Sequence, residues 1–149
     1  MGHSMRNLII GAVIAVCIAG AGWYLWSTKF SGPRMVWHNA DASMITLDLI
    51  KPGAVVLPKF TVTGQARGMW YFEASFPVEV LDKYGTPLAT AIAKADGDWM
   101  TENFVPFSAT LTIENYSGPA VLVLHKDNPS GEASRDASVA ISIEVFDVK

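Results

Sequence analysis

Period-two alternation of apolar and polar residues recurs through most of this chain, and it restricts the fold more than any other feature. From Phe107 to Ile113, the residues Phe107, Ala109, Leu111 and Ile113 alternate with Ser108, Thr110 and Thr112. From Ser138 to Val145, Val139, Ile141, Ile143 and Val145 alternate with a set containing Ser138, Ser142 and Glu144. Tyr71 to Leu81 sets Phe72, Ala74, Phe76, Val78 and Val80 against Glu73, Ser75 and Glu79. Successive strand side chains point to opposite faces, so these runs predict strands with one buried face. Ile45 to Leu49 and Phe60 to Ala66 are shorter runs of the same kind, and Leu88 to Ala95 is a weaker, Ala-rich one. Val121 to Leu124 is apolar at every position, which suits a central strand covered on both faces.

Turn chemistry separates the runs. Asp82-Lys83-Tyr84-Gly85, Asp96-Gly97-Asp98, Asn115-Tyr116-Ser117-Gly118-Pro119 and Asn128-Pro129-Ser130-Gly131 carry residues that tolerate φ > 0 or preset a turn. Pro77 lacks an N–H and predicts an edge strand or a bulge there. Seven or eight short strands with no sustained helical period predict an all-β, immunoglobulin-like β-sandwich. The single cysteine, Cys17, excludes a disulfide framework and a multi-cysteine zinc site. The core must therefore hold by packing, with Trp70, Phe72, Phe76, Trp99, Phe104 and Phe107 as its bulk.

The N-terminus is a different object. Leu8 to Trp26 contains sixteen apolar residues, three glycines and no charge. At about 1.5 Å per residue such a helix spans roughly 28 Å, close to the hydrocarbon thickness of a bilayer. Trp23, Tyr24 and Trp26 cluster at one end, where aromatic rings favour the headgroup level. This predicts one transmembrane helix and a linker over residues 1–34, followed by a sandwich ectodomain over 35–149. The expected address is the cytoplasmic membrane, single-pass, with the C-terminal domain periplasmic or extracellular. Two processed forms compete with this reading. Ala19-Gly20-Ala21 resembles a signal-peptidase site, and Cys17 resembles a lipid-acylation site without the small residue such sites require before it. Ser27 to Asp41 reads as a linker broken by Ser31-Gly32-Pro33.

Charge divides along the same line. The net −3 is the sum of a basic anchor segment and an ectodomain at −6, since all fourteen acidic residues lie beyond Arg34. An acidic domain of this kind excludes a nucleic-acid partner. No nucleophile elbow, zinc-helix or phosphate-loop motif occurs, so no catalytic residue, metal or cofactor is expected. His38 and His125 are the ectodomain's histidines, and His125 reads as a half-buried hydrogen-bonding residue at a strand end. A small envelope enzyme would need one of them beside a carboxylate in a cleft. Asp96-Gly97-Asp98, and Asp127-Asn128 with Glu132 and Asp136, offer oxygen donors but match no calcium-loop spacing, and they read as turn-forming residues.

Three stretches carry a family resemblance: Gly68-Met69-Trp70-Tyr71-Phe72-Glu73-Ala74-Ser75-Phe76-Pro77-Val78, Asp98-Trp99-Met100-Thr101-Glu102-Asn103-Phe104-Val105-Pro106-Phe107, and Lys126-Asp127-Asn128-Pro129-Ser130-Gly131. The chain resembles the immunoglobulin-like Gmad domain of the second type, a bacterial envelope domain named from spore-germination-associated proteins. The resemblance spans about Ile45 to Val148. It implies an Ig-like sandwich outside the cytoplasmic membrane that serves in interaction or adhesion, and it supplies no catalytic residues. The expected function is a membrane-anchored, non-enzymatic envelope module that binds a protein partner or scaffolds an assembly. The polar loop with Asp127, Asn128 and Ser130 is the expected contact surface. The alternative is a glycan-binding or cell-wall-binding module, which requires Tyr71, Tyr84 and Tyr116 to be exposed on one face.

Overall fold

The computed structural model describes residues 32–147. The apolar run Leu8–Trp26, with the anchor, cleavage and acylation readings that rest on it, lies outside the described residues. Among the described residues no helix is long and apolar enough to cross a membrane.

Among the described residues nine strands form: β1 (Met35–His38), β2 (Ile45–Leu47), β3 (Ala54–Val56), β4 (Lys59–Arg67), β5 (Ser75–Asp82), β6 (Pro87–Ala95), β7 (Phe104–Thr112), β8 (Gly118–His125) and β9 (Ser138–Val145). They hydrogen-bond in the order β1-β9-β8-β5-β6-β7-β4-β2, and β3 adds to β9 in parallel. Every other pairing is antiparallel. β6 is the corner. It follows β5 along most of its length but meets β7 only at Lys94 and Ala95, where the sheet passes into the second layer.

The alternating residues meet between the layers. Phe76, Val78 and Val80 of β5, Leu122 and Leu124 of β8, and Val139, Ile141, Ile143 and Val145 of β9 face Val62, Phe107, Ala109 and Leu111 across the core. The predicted alternations of β7 and β9 thus hold residue by residue. Val121 to Leu124 lies in β8, between β5 and β9, and is buried on both faces. Its outward residues join a second small cluster of Leu81, Val121, Val123 and Ala140, with Val36 packed against it.

Four expectations need correction. The strand expected from Tyr71 starts only at Ser75. A 3₁₀ turn at Gly68–Trp70 precedes it, and Phe72 and Ser75 then pair across a two-residue turn whose members, Glu73 and Ala74, both have positive φ (49° and 61°). Such a turn matches strand twist and usually uses Asn-Gly. Glu-Ala conceals it. Phe72 consequently leaves the core and is 43% exposed, while Trp99 and Phe104 are only half-buried. The expected linker contains β1, and β3 was not expected at all; both are short strands against the single edge of β9. Pro77 lies in an interior strand without a bulge beside it. The β5–β8 ladder begins one residue later, at Val78–Leu124, so only β6 flanks the proline. The register shift of β5 falls instead at Val80/Leu81. Finally, Glu79 does not face water. It is 8% exposed and bonds His125.

Phe76 is fully buried at the start of β5 and touches three rings edge-on: Trp70 at 6.4 Å, Tyr71 at 5.2 Å and Phe107 at 4.9 Å between centroids. Phe76→Ala is expected to destabilise the domain by about 3–5 kcal/mol, the usual cost of a buried Phe truncation. Urea unfolding of the full chain checks this.

Candidate functional site

The three motif stretches lie far apart in sequence but meet at one end of the sandwich. The first loop, Gly68 to Ala74, joins β4 to β5. The second, Asp96 to Asn103, joins β6 to β7. The third, Lys126 to Ala137, extends the β8–β9 hairpin. A Cβ on Gly68 would lie 1.9 Å from the Thr101 carbonyl oxygen and 2.3 Å from that of Trp99. Glycine here permits backbone-to-backbone contact between the first two loops. The Asp127 N–H donates to the Trp70 carbonyl at 3.0 Å, which ties the third loop to the first. The Ala95 N–H donates to the Ala74 carbonyl at 2.9 Å and closes the first loop onto β6.

Arg67 fastens the arrangement from beneath. Its Nε donates to the Ser43 carbonyl, its Nη1 donates to the Glu102 carbonyl, and its guanidinium lies 4.0 Å above the Phe104 ring. Tyr71 is buried beside Phe76 and donates its hydroxyl to the Val105 carbonyl at 2.6 Å. Burial pushes its phenol up to about 12, against a smaller opposing effect of the Ala66 backbone. Within the second loop the Met100 N–H bonds Asp98 Oδ1, and the Asn103 N–H bonds Thr101 Oγ1.

The three loops together carry exposed apolar side chains and a net negative charge. Met69 is 59% exposed and Met100 76%, and Phe72 is exposed on the same loop pair. Residues 67–74, 96–103 and 126–136 carry seven carboxylates against three cationic side chains. That is −4 of the −6 held by residues 32–147. Asp127 is raised above the ordinary carboxylate range, chiefly by burial and further by the neighbouring Glu73 charge, while the Asn128 backbone opposes the shift. A shallow depression beside Asp96, Asp98 and Phe104 continues the surface along the second loop.

The residues expected to form the contact surface divide. Asp127 reaches the loop cluster. Asn128 and Ser130 spend their polar groups inside the third loop: Asn128 Nδ2 donates to the Glu132 carbonyl and to Asp136 Oδ1, and Ser130 Oγ donates to Asn128 Oδ1. They shape the loop and leave few groups free for a ligand. The three tyrosines do not share a face. Tyr71 is buried at the loop end. Tyr84 and Tyr116 sit at the opposite end, near Asp82, where Tyr116 donates to the Pro119 carbonyl. His125 does stand beside a carboxylate, with Nε2 2.6 Å from Glu79 Oε1 on the outer face of β8 and β5. No hydroxyl or thiol is bonded to that imidazole among the described residues. His38 is exposed and faces Asn39. Among the described residues no three His, Cys, Asp or Glu side chains are grouped to hold a metal ion.

Sequence reasoning missed Met69 and Met100 and assigned Phe72 to the core. For Met69 and Met100 the available signal was position, beside Gly68 and just after Asp96-Gly97-Asp98, outside any strand alternation; for Phe72 the Glu73-Ala74 turn offered none.

A family model described as the immunoglobulin-like domain of bacterial spore germination matches residues 51–133. The match runs from just before β3 into the third loop, so it includes the first two loops whole. No curated protein and no solved structure matches the chain.

Two variants test this geometry. Gly68→Ala forces backbone atoms of the first two loops apart, and a loss of about 1–3 kcal/mol is expected in chemical denaturation. Amide shifts should move most at residues 99–101. Tyr71→Phe is expected to cost about 0.5–1.5 kcal/mol at neutral pH through the lost hydrogen bond. Tyr71 titrates near 10.0 when unfolded and near 12 when folded, so its stabilising share is complete below pH 10.0 and lost as pH rises toward 12. The Tyr71→Phe variant should show a shallower alkaline loss of stability in that window.

Proposed function

The chain belongs to the family of immunoglobulin-like domains of bacterial spore germination, and from that membership we propose that it works as a non-enzymatic interaction module of the bacterial envelope. In this reading Leu8–Trp26 anchors the chain in the cytoplasmic membrane and the sandwich stands outside it. The three-loop end contacts a protein partner. The observation that carries the reading is the convergence of all three motif stretches on one end, with Met69, Phe72 and Met100 exposed there. Binding residues concentrate on loops held by a rigid scaffold, and clustered exposed apolar side chains mark contact sites. The described chain starts away from that surface, since Pro33 packs at Gly53 and Arg34 pairs with Ser142, below the loop end of β9. A segment arriving from a membrane would leave the loops free to reach outward.

The glycan reading required a shared tyrosine face, and the three tyrosines are divided between the two ends. A protein partner is therefore the favoured ligand.

Photo-crosslinking residues placed at Met69 and Met100 in cells should capture one discrete protein, and the same residue at exposed Leu57 should not. Equal capture from all three positions would overturn the loop-end assignment. Replacing Ile14 and Ile18 by Lys should move the chain from the membrane fraction to the soluble fraction, because each mid-span Lys costs about 2.5–3.5 kcal/mol to insert. Unchanged fractionation would overturn the anchor.

A further inference from the structure

The chemistry of the loop end selects a partner class. Met69, Phe72 and Met100 are exposed on two loops whose backbones meet at Gly68, and two of the three are thioethers, which adapt to varied apolar side chains. Around them the carboxylates of Glu73, Asp96 and Glu102 hold no ion pair among the described residues, and Asp98 bonds only a backbone N–H. Glu73 and Asp127 lie close enough to repel one another. The ion pair that does form in this region, Arg135–Glu132, belongs to the third loop itself.

Such a surface repels an anionic lipid leaflet. It also repels a second copy of itself, since two ends at −4 would face each other across a symmetric contact. A chain segment presenting Leu- or Phe-like side chains between Lys or Arg residues meets both requirements at once.

We propose that the three-loop end docks a cationic amphipathic segment of a partner protein, its apolar side chains on Met69, Phe72 and Met100 and its cations against Glu73, Asp98 and Asp127. This rests on the loop end being the interaction surface. The apolar centre supplies residence time and the acidic rim supplies steering and selectivity. Glu73 and Ala74 hold positive φ in the turn that presents Phe72, so the apolar centre is displayed by a fixed backbone.

The test uses the full chain, ¹⁵N-labelled, in zwitterionic detergent micelles. The probes are a short amphipathic Lys/Leu peptide, its Glu/Leu counterpart and an all-Lys peptide. The Lys/Leu peptide should shift amides in residues 68–74, 98–103 and 126–128, with affinity falling as salt rises from about 50 to 300 mM. The Glu/Leu peptide should shift none of them, and the all-Lys peptide should bind at least about ten-fold more weakly. Met69→Ser with Met100→Ser should weaken Lys/Leu binding by about ten-fold or more at an unchanged Tm. Glu73→Gln, Asp98→Asn and Asp127→Asn together should abolish the salt dependence. Shifts confined to another face would overturn the loop end as the interaction surface. Equal binding of the Glu/Leu peptide, or salt-independent binding at the loops, would leave that surface standing and overturn the cationic class. No shift with any peptide overturns the proposal.

Discussion

Phe76 is the contact on which the rest of this structure depends. It is the first fully buried residue of β5, and its ring is shared between the core and the loop end. On one side it meets Phe107 of β7, which closes the two layers upon each other. On the other it meets Trp70 and Tyr71, which belong to the first loop. Edge-to-face contacts of this kind add about 0.5–1.5 kcal/mol each beyond area burial. More important is what they constrain. The loop that displays Met69 and Phe72 is anchored by the two residues between them, both buried against one core ring. The exposed residues therefore inherit their positions from the core.

That inheritance explains why strand faces were legible in the sequence and the loop end was not. Burial of a strand face needs only a local pattern, so Phe107–Ile113 and Ser138–Val145 declare themselves by alternation alone. Phe72 obeyed the same alternation but fell outside it in space, because the Glu73–Ala74 turn uses neither Asn nor Gly. Local pattern and backbone conformation separate there, and only the backbone decides. β1 and β3 were hidden for another reason. A strand of three or four residues is too short to show a period, and its place against β9 is set by what the rest of the sheet leaves unpaired.

Contacts between loops were less legible still. Nothing near Gly68 in the sequence announces that it touches the Trp99 and Thr101 carbonyls. Asp127 reads as a turn residue, but it precedes the turn at Asn128–Gly131 and its N–H reaches Trp70. The third loop is expected to bind through Asp127, Asn128 and Ser130. The side chains of Asn128 and Ser130 are spent within the loop, while the apolar residues exposed at this end are ones that sequence reasoning treated as core or ignored. Polar loop residues are ambiguous in this way: the same donors and acceptors serve a turn or a ligand, and only the geometry says which.

The two roles then cooperate. Because Asn128, Ser130, Thr101 and Asp98 satisfy backbone and side-chain partners within their own loops, the loops carry little conformational freedom to lose when something binds. Arg67 uses its guanidinium on two carbonyls and the Phe104 ring, so this cation is committed to structure, and among the described residues it forms no ion pair with the carboxylates of these loops. The result is a braced end that carries exposed apolar side chains and a net negative charge. The domain concentrates its −4 at that end, while the remaining surface of residues 32–147 holds only −2. Spread evenly, the same charge would serve solubility alone. Carried on the same braced loops as exposed thioethers, it gives the sandwich one end where apolar exposure and most of the net charge occur together.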